Sequence, residues 1–93
     1  MERECFLCGA NGVLDPLDRH HIFGGPNRKK SEKYGLVVDL CHHNCHIFGP
    51  LAAHKNAKVM AYLHRYGQAK VMQEQGWSKE DFIREFGKNY LED

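Results

Sequence analysis

The chain has 93 residues, a formal net charge of +1 with neutral histidines, and four cysteines. That length suits one small domain with a marginal core, for which a structural metal is a common supplement. No apolar run approaches a membrane span, and the near-zero charge argues neither for nor against a polyanionic partner. The cysteines fall in two close pairs and no leader resembling a signal peptide precedes them, so thiolates on zinc in a reducing cytosol outrank disulfides.

Residues 1 to 12 read as a knuckle, with Cys5, Cys8, Gly9 and Gly12 allowing a tight turn. Val13 to Phe23 has strand-like content broken by Asp15-Pro16, which predicts an irregular first strand and a better one around Leu17 to Ile22. Gly24-Gly25-Pro26-Asn27 marks a turn. Residues 26 to 35 read as an exposed basic loop carrying Arg28, Lys29, Lys30 and Lys33, with one helical turn near Ser31 to Lys33. Leu36 to Leu40 is short, β-branched and the clearest strand. Next comes Cys41-His42-His43-Asn44-Cys45-His46. As a helix it would project both thiols from one face at i, i+4. Gly49-Pro50 bends the chain, and apolar residues recur at helical spacing from about Ala53 to Gln75, with Gly67 as an interruption and Gly76 as a stop. Ser78 with Asp81 reads as the cap of a last helix over about 79 to 87, burying Phe82, Ile83 and Phe86. Glu74, Glu80, Asp81, Glu85, Glu92 and Asp93 make this last quarter acidic. The expected fold class is α+β, a single domain over 1–93: residues 1–56 carry the knuckle and metal sites, and residues 57–93 form the C-terminal helices.

The pattern implies two metal sites. Cys5-x2-Cys8 with Cys41-x3-Cys45 supplies four sulfurs, enough to close tetrahedral zinc without water; the x3 spacing leaves His42, His43 or His46 as alternatives to Cys45. Zinc there would couple directly to folding. A second, open site would draw on His20 and His21 at the end of the second strand, on His46 beside Cys45, and on His54 past the Gly49-Pro50 bend. Adjacent strand residues face opposite sides, so one of His20 and His21 binds metal and the other faces substrate as a general base. The basic loop of Arg28, Lys29, Lys30 and Lys33 would hold flanking phosphates without reading sequence. His42, His43 and His64 read as structural or surface residues.

The order Cys-x2-Cys, Asp18-Arg19-His20-His21-Ile22-Phe23-Gly24, Leu40-Cys41 and Cys45-His46 resembles the HNH nuclease superfamily. Its ββα-metal site sits on a treble-clef zinc knuckle. The run from His20 through Ser31-Glu32-Lys33-Tyr34-Gly35 to His46 and His54 looks most like small phage-encoded HNH proteins of the RecA-dependent nuclease type. The resemblance spans about residues 5 to 56. It implies His20, His46 and His54 as ligands of a catalytic divalent cation such as Mg2+ or Mn2+, His21 as the base that activates water, and DNA as substrate. The family's middle Asn would fall near Gly35-Leu36, which leaves Asn27, Asn44, Asn56 or a backbone carbonyl to orient His21.

The expected function is a metal-dependent DNA endonuclease of low sequence specificity. It would work in host cytoplasm with DNA and with a host or phage recombination or packaging protein, and not at a membrane. The alternative is a non-catalytic zinc-stabilised module binding nucleic acid or protein on the same scaffold. The apolar helical half leaves the oligomeric state open.

Overall fold

Strands β1 (Leu17–His21) and β2 (Val37–Cys41) pair as a two-stranded sheet in the computed structural model, which describes residues 3–50 and 52–91. Ile22 N donates to Leu36 O at 3.0 Å, and His42 N donates to Pro16 O at 2.7 Å. Those two pairings share one antiparallel register. Helices α1 (Arg28–Lys33), α2 (Ala57–Gln75) and α3 (Lys79–Phe86) complete an α+β chain. Among the described residues no helix is long and apolar enough to cross a membrane. Glu92 and Asp93 of the acidic tail, and the first two residues of the knuckle, lie outside the described residues.

The chain divides into two units, residues up to 20 with 37–60, and residues 21–36 with those from 61. In the first, a turn at Cys5 to Ala10 closes through Cys5 N to Ala10 O at 2.8 Å and Gly9 N to Cys5 O at 2.9 Å. Phe6 N donates to Asp39 O at 2.7 Å, and Arg3 grips the Asp39 carboxylate at 2.6 and 2.9 Å, so the knuckle is pinned to β2. The irregular strand expected before Leu17 does not form. Residues 12–15 bend instead, and the Asp15 carboxylate accepts from the amides of His43 and Asn44 at 2.8 and 2.9 Å. A charged cap on those amides outweighs a strand extension that would have no partner.

Residues His42–Ile47 form a wide, π-type helical turn, with Phe48 N and Gly49 N both donating to His43 O at 2.9 Å. Gly49 is required there: a Cβ would lie 2.2 Å from the carbonyl oxygen of Asn44. Asn56 then starts α2, its side-chain oxygen accepting from the amides of Lys58 and Val59.

The second unit is built around Phe23. Its ring meets those of His64, Phe82, Phe86 and Tyr90 at centroid distances of 4.9 to 5.5 Å. Gly67 does not interrupt α2. It is buried mid-helix, where a Cβ would come 2.7 Å from Ile22 Cγ2 and 3.0 Å from the Phe23 ring. We expect Gly67→Ala to lower unfolding stability by about 1–2 kcal/mol in urea titration. Overpacking against a β-branched side chain exceeds the ~1 kcal/mol gained in helix propensity. A more stable variant would contradict this packing.

Gly76, at φ +69°, ends α2. The predicted Ser78–Asp81 capping box opens α3, which buries Phe82 and Phe86. Ile83, expected in the core, is 40 % exposed, because an eight-residue helix turns only one narrow face inward.

Candidate metal centres

The four thiols of Cys5, Cys8, Cys41 and Cys45 lie within 4.8 Å of one another, unpaired by disulfides. Cys8 Sγ and Cys41 Sγ are 3.7 Å apart. Sulfurs at ~2.3 Å from tetrahedral zinc are separated by ~3.8 Å, so the spacing fits a closed four-thiolate site. The thiols converge by a different route from the expected one. Cys41 is extended, at φ −64° and ψ 131°, as the last residue of β2, while Cys45 sits inside the wide turn. A strand end and a helical turn therefore present them, not one helix face. His42 and His46 hydrogen-bond to Asp18, and His43 packs on Phe48 at 5.2 Å between centroids, so none of the three substitutes for Cys45.

Burial pushes the Cys41 thiol up to about 11 and Cys45 higher still. For Cys5 burial acts the same way but is outweighed by hydrogen bonds from the amides of Cys41, Cys8 and Leu7, which bring it to about 7. Cys5 is poised as thiolate, and Cys41 and Cys45 give up their protons only to a cation.

Beside this frame stands a cluster of imidazoles. One ring nitrogen from each of His20, His46 and His54 lies within 4.8 Å of the others, and the ring centroids are 4.8 to 5.5 Å apart. His20 is buried on β1. His46 comes from the wide turn. His54 arrives because residues 53 and 54 fold back on the turn: Ala53 N donates to Cys45 O at 2.8 Å and His54 N to His46 O at 3.1 Å. An eight-residue spacing thus becomes a backbone-paired neighbour. Burial, then the nearby His46, holds His54 below the usual imidazole range, which keeps it neutral and ready to donate a lone pair.

Sequence reasoning missed Asp18. Its Oδ2 accepts from His46 Nδ1 at 2.8 Å and from His42 Nδ1 at 2.5 Å. These bonds, that of His46 foremost, hold the carboxyl below the usual carboxylate range. With its Nδ1 proton committed to Asp18, His46 has Nε2 left to ligate, the carboxylate–histidine arrangement that orients metal ligands. The missed signal was strand alternation: residues 18 and 20 share one face of β1.

Three neutral imidazoles suit zinc, nickel, cobalt or copper. Magnesium and manganese favour oxygen donors, so the donor set does not fit the Mg2+ or Mn2+ that the sequence suggested. Three protein ligands also leave a coordination position for solvent or substrate.

His21, next in β1, has Nε2 at 2.9 Å from Glu32 Oε2. Neither Asn27, which donates to Phe86 O at 3.0 Å, nor Asn56, which caps α2, takes the orienting role expected of an Asn. The four basic residues lie on α1, not on a loop. Arg28, Lys29 and Lys33 are exposed, with Lys33 Nζ 5.2 Å from the Tyr34 ring centroid. Lys30 is half-buried and donates to the carbonyl of Glu85, so its charge is used within the protein. His64 stacks on Phe23, and burial lowers its pKa, in keeping with a structural role. Compared with known proteins, the chain matches no family model, no curated protein and no solved structure.

Proposed function

We propose that this chain is a small metal-dependent DNA endonuclease of the HNH type, its treble-clef knuckle closed by zinc on Cys5, Cys8, Cys41 and Cys45. The observation that carries the reading is the convergence of His20, His46 and His54 beside the four-thiol frame, with Asp18 orienting His46. In this reading His20, His46 and His54 hold a borderline divalent cation, which supplies Lewis-acid stabilisation of charge on the phosphoryl and leaving oxygens. Asp18 keeps the proton on His46 Nδ1. His21 takes the proton from the attacking water, and Arg28, Lys29 and Lys33 neutralise flanking phosphates, a contact that positions DNA without reading its sequence.

Supercoiled-plasmid nicking tests the proposal. We expect cleavage with nickel, cobalt or zinc and much slower cleavage with magnesium. His21→Ala should lower the rate by about 10²–10⁴-fold with zinc content unchanged. Equal nicking by the variant would remove His21 as the base. If the wild type nicks with no ion yet shifts DNA in a mobility assay, the chain is the non-catalytic zinc-stabilised module instead.

A further inference from the structure

Glu32 has no role assigned by the sequence reading, yet its carboxylate meets the ring that the nuclease reading assigns as base. The approach is built by the backbone around it. Ser31 Oγ donates to Phe23 O at 2.7 Å and accepts from Phe23 N at 3.1 Å. Leu36 N donates to Ser31 O at 2.7 Å, and Ile22 N to Leu36 O at 3.0 Å. Ser31 is fully buried. Residues 22 and 23, immediately after His21, are therefore locked to residue 31, immediately before Glu32. This clamp leaves the two side chains facing each other at 2.9 Å, the His21 side chain only 13 % exposed.

An ionised carboxylate can only accept a hydrogen bond, so the imidazole nitrogen facing it must be the N–H. We infer that Glu32 is a positioning residue for His21: it fixes the ring and its Nε2 proton, so that Nδ1 is the nitrogen His21 offers as a base. The role of Nδ1 rests on the nuclease reading; the Glu32–His21 pairing does not. Which ring nitrogen is left with its lone pair is set by the bond that the other makes, and here that bond is to an acidic side chain from α1.

The test uses full-length, zinc-loaded, nitrogen-15-labelled protein. Long-range proton–nitrogen spectra in alkaline buffer should show His21 protonated at Nε2, with a low-field, slowly exchanging proton. Glu32→Ala should lose that resonance, and Glu32→Gln, whose carboxamide oxygen still accepts, should keep it in weakened form. A His21 proton on Nδ1 in the wild type, or an unchanged resonance in Glu32→Ala, would overturn the assignment.

In plasmid nicking, Glu32→Ala should lower kcat about 10- to 100-fold at constant KM, with partial rescue by Glu32→Gln. An unaffected rate would also overturn it, as would loss of the bound cation in Glu32→Ala, which would make Glu32 a ligand. Absence of nicking by the wild type removes the nuclease reading, while the spectra still decide the role of Glu32.

Discussion

Replacing Cys45 by serine, or withdrawing zinc with a chelator, is expected to unfold the first unit while α3 and most of α2 remain helical. Among the described residues, the apolar side chains buried in that unit, thiols aside, are Leu40, Ala52 and Ala53. The second unit buries Ile22, Phe23, Leu36, Leu63, Val71, Phe82 and Phe86. Burying a large aliphatic or aromatic side chain contributes about 1.5–3 kcal/mol, and ordering each backbone residue costs about 1–2 kcal/mol. One leucine and two alanines cannot hold some forty residues in place. A structural zinc, contributing about 10–16 kcal/mol on binding, can.

Far-UV circular dichroism should therefore keep most of its helical signal in excess chelator, while amide resonances from the knuckle, β2 and the wide turn collapse to unfolded positions. Added zinc should restore them. Full dispersion retained in chelator would show that the thiols are not a folding element. Acid should act in the same direction: with Cys41 at about 11 and Cys45 higher, protons compete with zinc for these sulfurs, so retention weakens as pH falls.

What the sequence reveals and what it hides here separate along one physical line. Features whose partners are close in the chain were legible: the paired thiols, the Ser78–Asp81 box, the short β-branched strand, the stop at Gly76. One ring nitrogen from each of His20, His46 and His54 does come together, and β1 reaches the wide turn through its pairing with β2, which the turn directly follows. Polar partners formed across the fold were not legible. Asp15 read as a strand breaker but caps the wide turn from 28 residues away in sequence. Lys30 read as a phosphate contact, yet its charge is taken up by a carbonyl 55 residues on. Gly67 read as a helix interruption because propensity is local, whereas the need for a hydrogen atom in place of a side chain is set by Ile22 and Phe23.

Asp18 carries the other large effect. His46→Ala should abolish tight binding of nickel or cobalt at the imidazole site while the chain keeps one zinc, and nicking should fall to background. Asp18→Ala should leave all three imidazoles in place and still weaken the cation about 10- to 100-fold, because nothing then holds the proton on His46 Nδ1 or fixes the ring. Asp18→Asn should lie between, since its oxygen accepts but carries no charge.

The direction with pH follows from the groups involved. Asp18 is held below the ordinary carboxylate range, so its contribution is complete above that range and is lost only as pH falls through the depressed value. His54, lowered by burial, stays neutral and able to ligate to lower pH than an ordinary imidazole. Isothermal titration with nickel at a series of pH values should show affinity falling as pH falls in both proteins, since the ligands must be deprotonated, with Asp18→Ala about 10- to 100-fold weaker at neutral pH. If the two curves coincide, Asp18 orients nothing, and the His46 ring is held by packing alone.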